Sequence, residues 1–270
     1  MSPIYTPGKL LLKKESVAPP LIDAYTGAAG AYSLRSLTAG NVNVVRVRRS
    51  SDNAEQDFTA AQVTDGTLTA FCGAGNGILR TWYDQSGNNR HSSFNVALPS
   101  WLIVSSGSLV LSGGLPAINT ADATQAAGKR ITIPGLAGLA RADYFFVKET
   151  SDTSYMSPGS ATGGGTGYGW TATQGSTNTG LSSNFGSPLL YSNGSLVSPV
   201  NRGDIYNALN GRKLESTINA SLSTWTDFTL AFYSSFNLDA LAQEFIVFPT
   251  DQTSRRAAIE SAINSYYSIY

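Results

Sequence analysis

The chain has one cysteine and one histidine in 270 residues. A lone Cys72 excludes an intrachain disulfide framework and any cysteine-based zinc cluster, and it reads as a small buried apolar residue. A lone His91 excludes a zinc site of two or three histidines. It sits in a turn cluster with Asn88, Asn89 and Arg90, where a structural histidine is expected rather than a catalytic base, so histidine-dependent triads fail on inventory. Charge is scarce as well. Only 13% of residues are Asp, Glu, Lys or Arg, and the formal net charge is zero. That gives no basic face for nucleic acid. No apolar run approaches the ~20 residues of a membrane helix. The first residues, Met1 to Lys9, lack the continuous apolar core of a signal peptide, so synthesis in a reducing cytoplasm is expected.

What is abundant is Gly, Ser, Thr and Asn, the composition of a turn-rich β protein. Val45 and Val47 alternate with Arg46 and Arg48, which gives one apolar and one basic face. The other clear strand candidates are Ile78 to Tyr83, Tyr144 to Val147, Phe228 to Tyr233 and Phe245 to Phe248. Gly113-Gly114, Gly163-Gly164-Gly165 and Asn193-Gly194 mark turns. One helix is expected at the C-terminus, capped by Thr250 or Asp251, with Ile259, Ala262, Ile263, Tyr266 and Tyr267 on its buried face. The pattern predicts an all-β jelly-roll β-sandwich with a single C-terminal helix, in one domain over residues 31–270.

Residues 1–30 read as an extended N-terminal arm, because Pro3, Pro7, Pro19 and Pro20 forbid a regular helix. Two roles stand for it: a tether to a neighbouring protein, or a first strand closing the domain's own sheet. Arg46, Arg48 and Arg49 are expected to pair with Asp52, Glu55 or Asp57.

Neither Gly73-Ala74-Gly75-Asn76-Gly77 nor the glycine run from Gly163 to Gly169 follows a strand, opens a helix and carries a P-loop lysine, so both read as turns. No cofactor and no metal site is expected. Asp84-Gln85-Ser86-Gly87-Asn88 has oxygens at alternate positions but lacks the terminal bidentate Glu of a calcium loop, so Asp84 is expected to accept backbone N–H bonds in a tight turn.

Paired carboxylates remain the open route to chemistry, because glycoside hydrolysis needs two acids flanking a sugar bond. The candidates are Asp84, Asp143, Asp204, Glu215, Asp227, Asp239 and Glu244. From Thr153 through Gly203 there is no Asp or Glu. That stretch carries Tyr168, Trp170, Phe185 and Tyr191 instead, which suit stacking on sugar faces or, equally, packing beneath ordinary loops.

A set of residues then becomes recognisable. Tyr32-Ser33, the run from Val45 to Asn53, Phe71-Cys72 and the run from Trp82 through Asp84 and Gln85 to His91 resemble the catalytic domain of family 54 α-L-arabinofuranosidases, a concanavalin A-like jelly roll. With the segment Gln243 to Gln252 and Ile259 to Tyr270, the block also looks like LamG-type domains of bacteriophage tail and fibre proteins. The resemblance covers roughly residues 30 to 120 and 225 to 270. It implies that Arg48, Asp52, Trp82, Asp84, Gln85 and His91 form a structural motif.

It also exposes departures. The family uses paired cysteines, a mid-domain Glu nucleophile and an Asp after two glycines near the last strands. Here the middle is acid-free, and Tyr233-Ser234-Ser235-Phe236-Asn237 leaves Asp239 as the nearby acid. The expectation is therefore a non-enzymatic bacteriophage virion structural protein, a tail, fibre or capsid-surface component released by lysis. It would be homo-oligomeric, attached to other virion proteins by the arm, and would bind host-surface polysaccharide through Tyr168, Trp170, Phe185 and Tyr191. One alternative is a glycoside hydrolase or depolymerase of bacterial polysaccharide using acids such as Asp204, Asp239 or Glu244. Another is a purely architectural capsid decoration protein.

Overall fold

The computed structural model describes residues 19–94, 101–121, 131–160, 167–230, 232–233 and 236–270. Most of the expected arm, residues 1–18, and the glycines Gly163, Gly164 and Gly165 lie outside the described residues.

Among the described residues the strands form a 12-stranded antiparallel sheet facing a 5-stranded one, with two further two-stranded hairpins. At the centre of the larger sheet, Ala142–Thr150 pairs with Gly211–Ala220 on one side and Ala240–Phe248 on the other. Both Ala142–Thr150 and Ala240–Phe248 are buried along nearly their whole length. Their alternate residues therefore face two different apolar layers, which is why they read as continuous hydrophobic runs rather than alternating ones. The far edge of Ala240–Phe248 is shared end to end. Gly30–Ser33 covers Glu244 to Val247, and Ile118–Asn119 covers Leu241 and Ala242.

The smaller sheet runs Tyr168–Thr173, Ser154–Gly159, Thr229–Leu230, Ile131–Thr132, Ser93–Phe94. The layer between the sheets is built from aromatic rings. Phe245 contacts Tyr32, Tyr144, Phe146 and Phe228 at centroid separations of 5.6 to 6.4 Å. Phe185 bridges Trp170 and Trp225 at 6.0 and 5.7 Å. Truncating a ring such as Phe245 costs about 3–5 kcal/mol, since the cavity adds to the lost transfer energy. This is the jelly-roll β-sandwich with a C-terminal helix that the pattern predicts.

The opposite face of the larger sheet is covered by two helices. Phe145, Val147, Ile246 and Phe248 pack beneath Ile259, Ile263 and Tyr267 of helix Arg256–Tyr267 and beneath Leu21 and Ile22 of helix Leu21–Ala24. Residues 21–30 thus dock on the domain itself. The C-terminal helix starts later than its expected cap. Arg255 is the N-cap residue, while Asp251 turns back to accept from the Thr253 amide and to pair with Arg141. Gln252 is the reason: its buried amide donates to Asp143 at 2.7 Å, and its carbonyl accepts from Arg256.

The strand Asn43–Arg49 buries Val45 and Val47 and turns Arg46 and Arg48 outward. Val44 is buried too, because a register shift lies between Asn43 and Val45. Arg46 pairs with Glu55 and Asp57, and Arg49 with Asp52. Arg48 differs from expectation and donates to the Asn53 side chain instead. Asn193-Gly194 and Gly113-Gly114 adopt positive φ at both residues, as two-residue hairpin turns require.

Candidate functional site

The run around Asp84 is a brace. Asp84 Oδ1 accepts from the amides of Ala31 and Ser86, both at 2.9 Å, and Oδ2 accepts from the Ser86 hydroxyl at 2.8 Å and the Arg90 amide at 3.1 Å. Gln85 accepts from the Leu37 amide and donates to the carbonyls of Ser33 and Arg35. His91 Nδ1 accepts from the Asp84 amide at 3.1 Å. Trp82 is fully buried. The Ala31 bond to Asp84 and the three Gln85 bonds tie the strand Gly30–Ser33 and its flank to the turn, and the remaining bonds fold the turn on itself. Cys72 is buried, and burial pushes its thiol up to about 11, which keeps it protonated and unreactive.

The aromatics of the acid-free stretch do not assemble into one exposed surface. Trp170 and Phe185 belong to the inter-sheet core, and the Trp170 indole donates to Thr217 Oγ1 at 2.9 Å. Neither ring offers a face to a glycan, which corrects the expectation for these two residues. Tyr191 lies on the opposite face of the larger sheet under the Arg256 guanidinium, 3.8 Å from its ring centroid. Tyr168 is half-buried on the smaller sheet, bridged to Ser183.

Most candidate acids are structural. Asp204 caps helix Arg202–Leu209 by accepting from the Val200 and Asn201 amides. Glu244 is buried and bound by Arg35 at 2.7 Å and by the Tyr267 hydroxyl at 3.2 Å. Asp143 is buried between Arg141 and the amides of Asn219 and Gln252. Glu215 sits in the core, where it accepts from Tyr144 at 2.7 Å and faces Lys148 Nζ at 3.3 Å. Asp227 accepts from the Ser160 hydroxyl.

Asp239 is different. It lines a cavity of about 520 Å³ at one end of the central strands, where Thr150 ends its strand, Gly211 begins the next and Ala240 begins the third. Glu149 and Asp152 line the same cavity, together with Asn119 and Asn210. The volume suits a small ligand or a few sugar units. A closed hydrogen-bond circuit holds the Asp152 carboxylate against the Asp239 backbone. The Asp239 amide donates to Asp152 Oδ2 at 2.7 Å, the Asp152 amide donates to Thr150 Oγ1 at 3.2 Å, and that hydroxyl donates to the Asp239 carbonyl at 2.8 Å. Thr120 secures the same turn by donating to the Leu238 carbonyl and accepting from the Ala240 amide. Ser112 donates to Glu149 at 2.6 Å.

Burial raises the Asp152 carboxyl above its ordinary range. The Asp239 amide pulls it down, and the neighbouring Asp239 charge pushes it further up. A half-buried carboxyl with a raised pKa beside a second carboxylate is the arrangement from which general acids are made.

Glu149 and Asp152 were not among the acids that sequence reasoning selects. Their one signal is position: they are the last acids before the acid-free stretch, at the end of a strand. Among the described residues no cluster of three or more His, Cys, Asp or Glu has metal-holding geometry, and no helix is long and apolar enough to cross a membrane.

No family model and no curated protein sequence matches the chain. Among solved structures, an arabinofuranosidase complexed with arabinofuranosyl-α-1,2-xylobiose aligns with a TM-score of 0.47 and 15% identity over 89% of this chain. A family GH54 α-L-arabinofuranosidase soaked with a cyclic sulfate inhibitor aligns with a TM-score of 0.38 and 13% identity over the same share. The chain spans 63% of the length of each. At this identity the likeness concerns the fold.

The structures named are arabinofuranosidases. That finding overturns the expectation of a non-enzymatic virion component. It also removes the exclusion of enzymatic activity, which rested on missing family carboxylates. The structure supplies the physical correction, because the acids absent from the family positions are not the only ones that reach a shared cavity.

Proposed function

We propose that the chain is a glycoside hydrolase acting on polysaccharide, with its active centre in the cavity lined by Asp152 and Asp239. The observation that carries this reading is the junction of those two residues, where a half-buried carboxyl of raised pKa accepts from the amide of a second acidic residue inside a cavity of sugar-accommodating size. Asp152 holds its proton at higher pH than an ordinary aspartate and delivers it to the glycosidic oxygen as the bond breaks. Asp239 supplies the second carboxylate, which supports the positive charge that develops on the sugar ring. Thr150 positions both by bonding to each backbone. Asn119 and Asn210 provide amide groups for sugar hydroxyls.

The test is release of reducing ends from a panel of neutral, amino-bearing and uronate polysaccharides by the purified chain. Release from at least one of them, lost on Asp239→Asn, supports the reading. No release across the panel refutes it.

A further inference from the structure

Asp239 is held through its backbone. Its amide donates to Asp152 Oδ2 at 2.7 Å, and its carbonyl accepts from the Thr150 hydroxyl at 2.8 Å. The residues on either side of it are buried, Leu238 in the inter-sheet core and Ala240 at the start of its strand. Both are bound by one residue, Thr120. The Thr120 hydroxyl donates to the Leu238 carbonyl at 2.6 Å and accepts from the Ala240 amide at 2.9 Å, and the Thr120 amide donates to the Ala240 carbonyl at 2.8 Å. Thr120 follows the short strand Ile118–Asn119, which pairs with Ala242 and Leu241. Where that ladder of main-chain bonds stops, the hydroxyl takes its place. It bonds residues 238 and 240 and leaves the one between them for the cavity.

Asn119 and Ala121 line the cavity on either side of Thr120, while Thr120 itself is only 5% exposed. Its influence on a ligand therefore passes through the 238–240 turn rather than through contact. A hydroxyl is suited to this place because it donates and accepts at once, and the β-branched side chain of threonine is stiff at χ1, so little rotamer freedom is lost in holding it there. A reacting group displaced by about 1 Å loses on the order of 10²-fold in rate, so a turn clamped in this way has a direct bearing on turnover. We infer that Thr120 is a positioning residue, whose hydroxyl staples Leu238 to Ala240 and so fixes the backbone from which the Asp239 side chain reaches the cavity. The inference rests on the reading of Asp152 and Asp239 as the catalytic pair.

The experiment pairs amide hydrogen exchange, read by NMR, with hydrolysis kinetics on the parent, Thr120→Val and Thr120→Ser. Valine keeps the shape of the side chain and removes the hydroxyl, whereas serine keeps the hydroxyl. In the parent the Asp239 and Ala240 amides are expected to exchange at least about a hundredfold more slowly than an unstructured chain, although they lie beside an open cavity. Thr120→Val is expected to speed exchange of the Asp239 amide about tenfold or more, even though its own acceptor on Asp152 is untouched, and to leave Ile246 in the middle of the same strand unchanged. On whichever polysaccharide of the neutral, amino-bearing and uronate panel the parent cleaves, Thr120→Val is expected to lower kcat about tenfold or more with KM within about twofold. Thr120→Ser is expected to stay within about threefold of the parent in both exchange and kcat.

Rapid exchange of the Asp239 amide in the unaltered chain overturns the inference, even if Thr120→Val misfolds. So does a folded Thr120→Val with the parent's exchange or kcat, a loss confined to KM, or a serine variant as impaired as the valine one. A protected, hydroxyl-dependent Asp239 amide in a chain that cleaves nothing would keep the staple and sink the catalytic reading. Cleavage by the parent that Thr120→Val leaves intact would do the reverse.

Discussion

The Asp239 amide donates to Asp152 Oδ2 at 2.7 Å across 87 residues of sequence. This bond joins the loop that follows one central strand to the residue that precedes another, and it brings two acidic residues to one cavity. Its consequences divide into effects on chemistry and effects on stability.

Asp152→Asn keeps an acceptor for the Asp239 amide and removes a charge that the fold disfavours. The sign follows from the direction of the shift. A carboxyl whose pKa is raised on folding contributes stability that is present below its unfolded value of 3.8 and lost as pH rises through the folded value. The variant is therefore expected to melt at the same or a higher temperature than the parent at neutral pH, while losing two or more orders of magnitude in hydrolysis (about 10²–10⁴-fold for a general acid). Scanning calorimetry beside a hydrolysis assay checks both, and a clear drop in melting temperature would count against the electrostatic account.

The same raised carboxyl sets the pH dependence. General-acid catalysis needs the protonated form, so activity should fall on the alkaline side as pH rises through the Asp152 pKa. That limb should lie above the range of an ordinary aspartate and be absent from residual activity in Asp152→Asn. A pH–rate profile is the measurement.

Lys148 and Glu215 form a fully buried ion pair at 3.3 Å, and Tyr144 holds the carboxylate from the other side. Burial lowers the Lys148 pKa, and the Glu215 charge opposes that shift. Removing one partner leaves the other charged in the core. Lys148→Met or Glu215→Leu alone is expected to cost about 3–5 kcal/mol in urea unfolding, and the double substitution should recover much of that loss. Additive losses in the double variant would show that the two groups are not coupled.

Asp84 accepts hydrogen bonds from Ala31, Ser86 and Arg90 that no other side chain replaces. Asp84→Ala strands the buried Ala31 amide and the half-buried amides of Ser86 and Arg90, so a loss of about 3 kcal/mol is expected, with a smaller loss for Asp84→Asn. Chemical denaturation of the two variants makes the comparison.

The sequence carried the parts of the fold that depend on local chemistry. Asn193-Gly194 and Gly113-Gly114 can take the positive φ of hairpin turns, and Ile259, Ile263 and Tyr267 recur at helical spacing. Both are local constraints. Asp84 was legible as a turn acceptor for the same reason.

The cavity was not legible, because its acids come from strand ends that meet only once the central sheet has formed. The acid-free stretch drew attention to Trp170 and Phe185, but aromatic composition alone does not separate a stacking surface from a core, and here the inter-sheet layer takes both rings. The start of the C-terminal helix was misplaced because Asp143, far away in sequence, engages Gln252.

The most direct measurement compares hydrolysis by the parent, Asp152→Asn and Asp239→Asn on one polysaccharide that the parent cleaves, with all three chains verified as folded. The account predicts that each substitution lowers turnover to about 1% of the parent or less. Undiminished turnover in either folded variant would contradict it and move the chemistry away from this cavity.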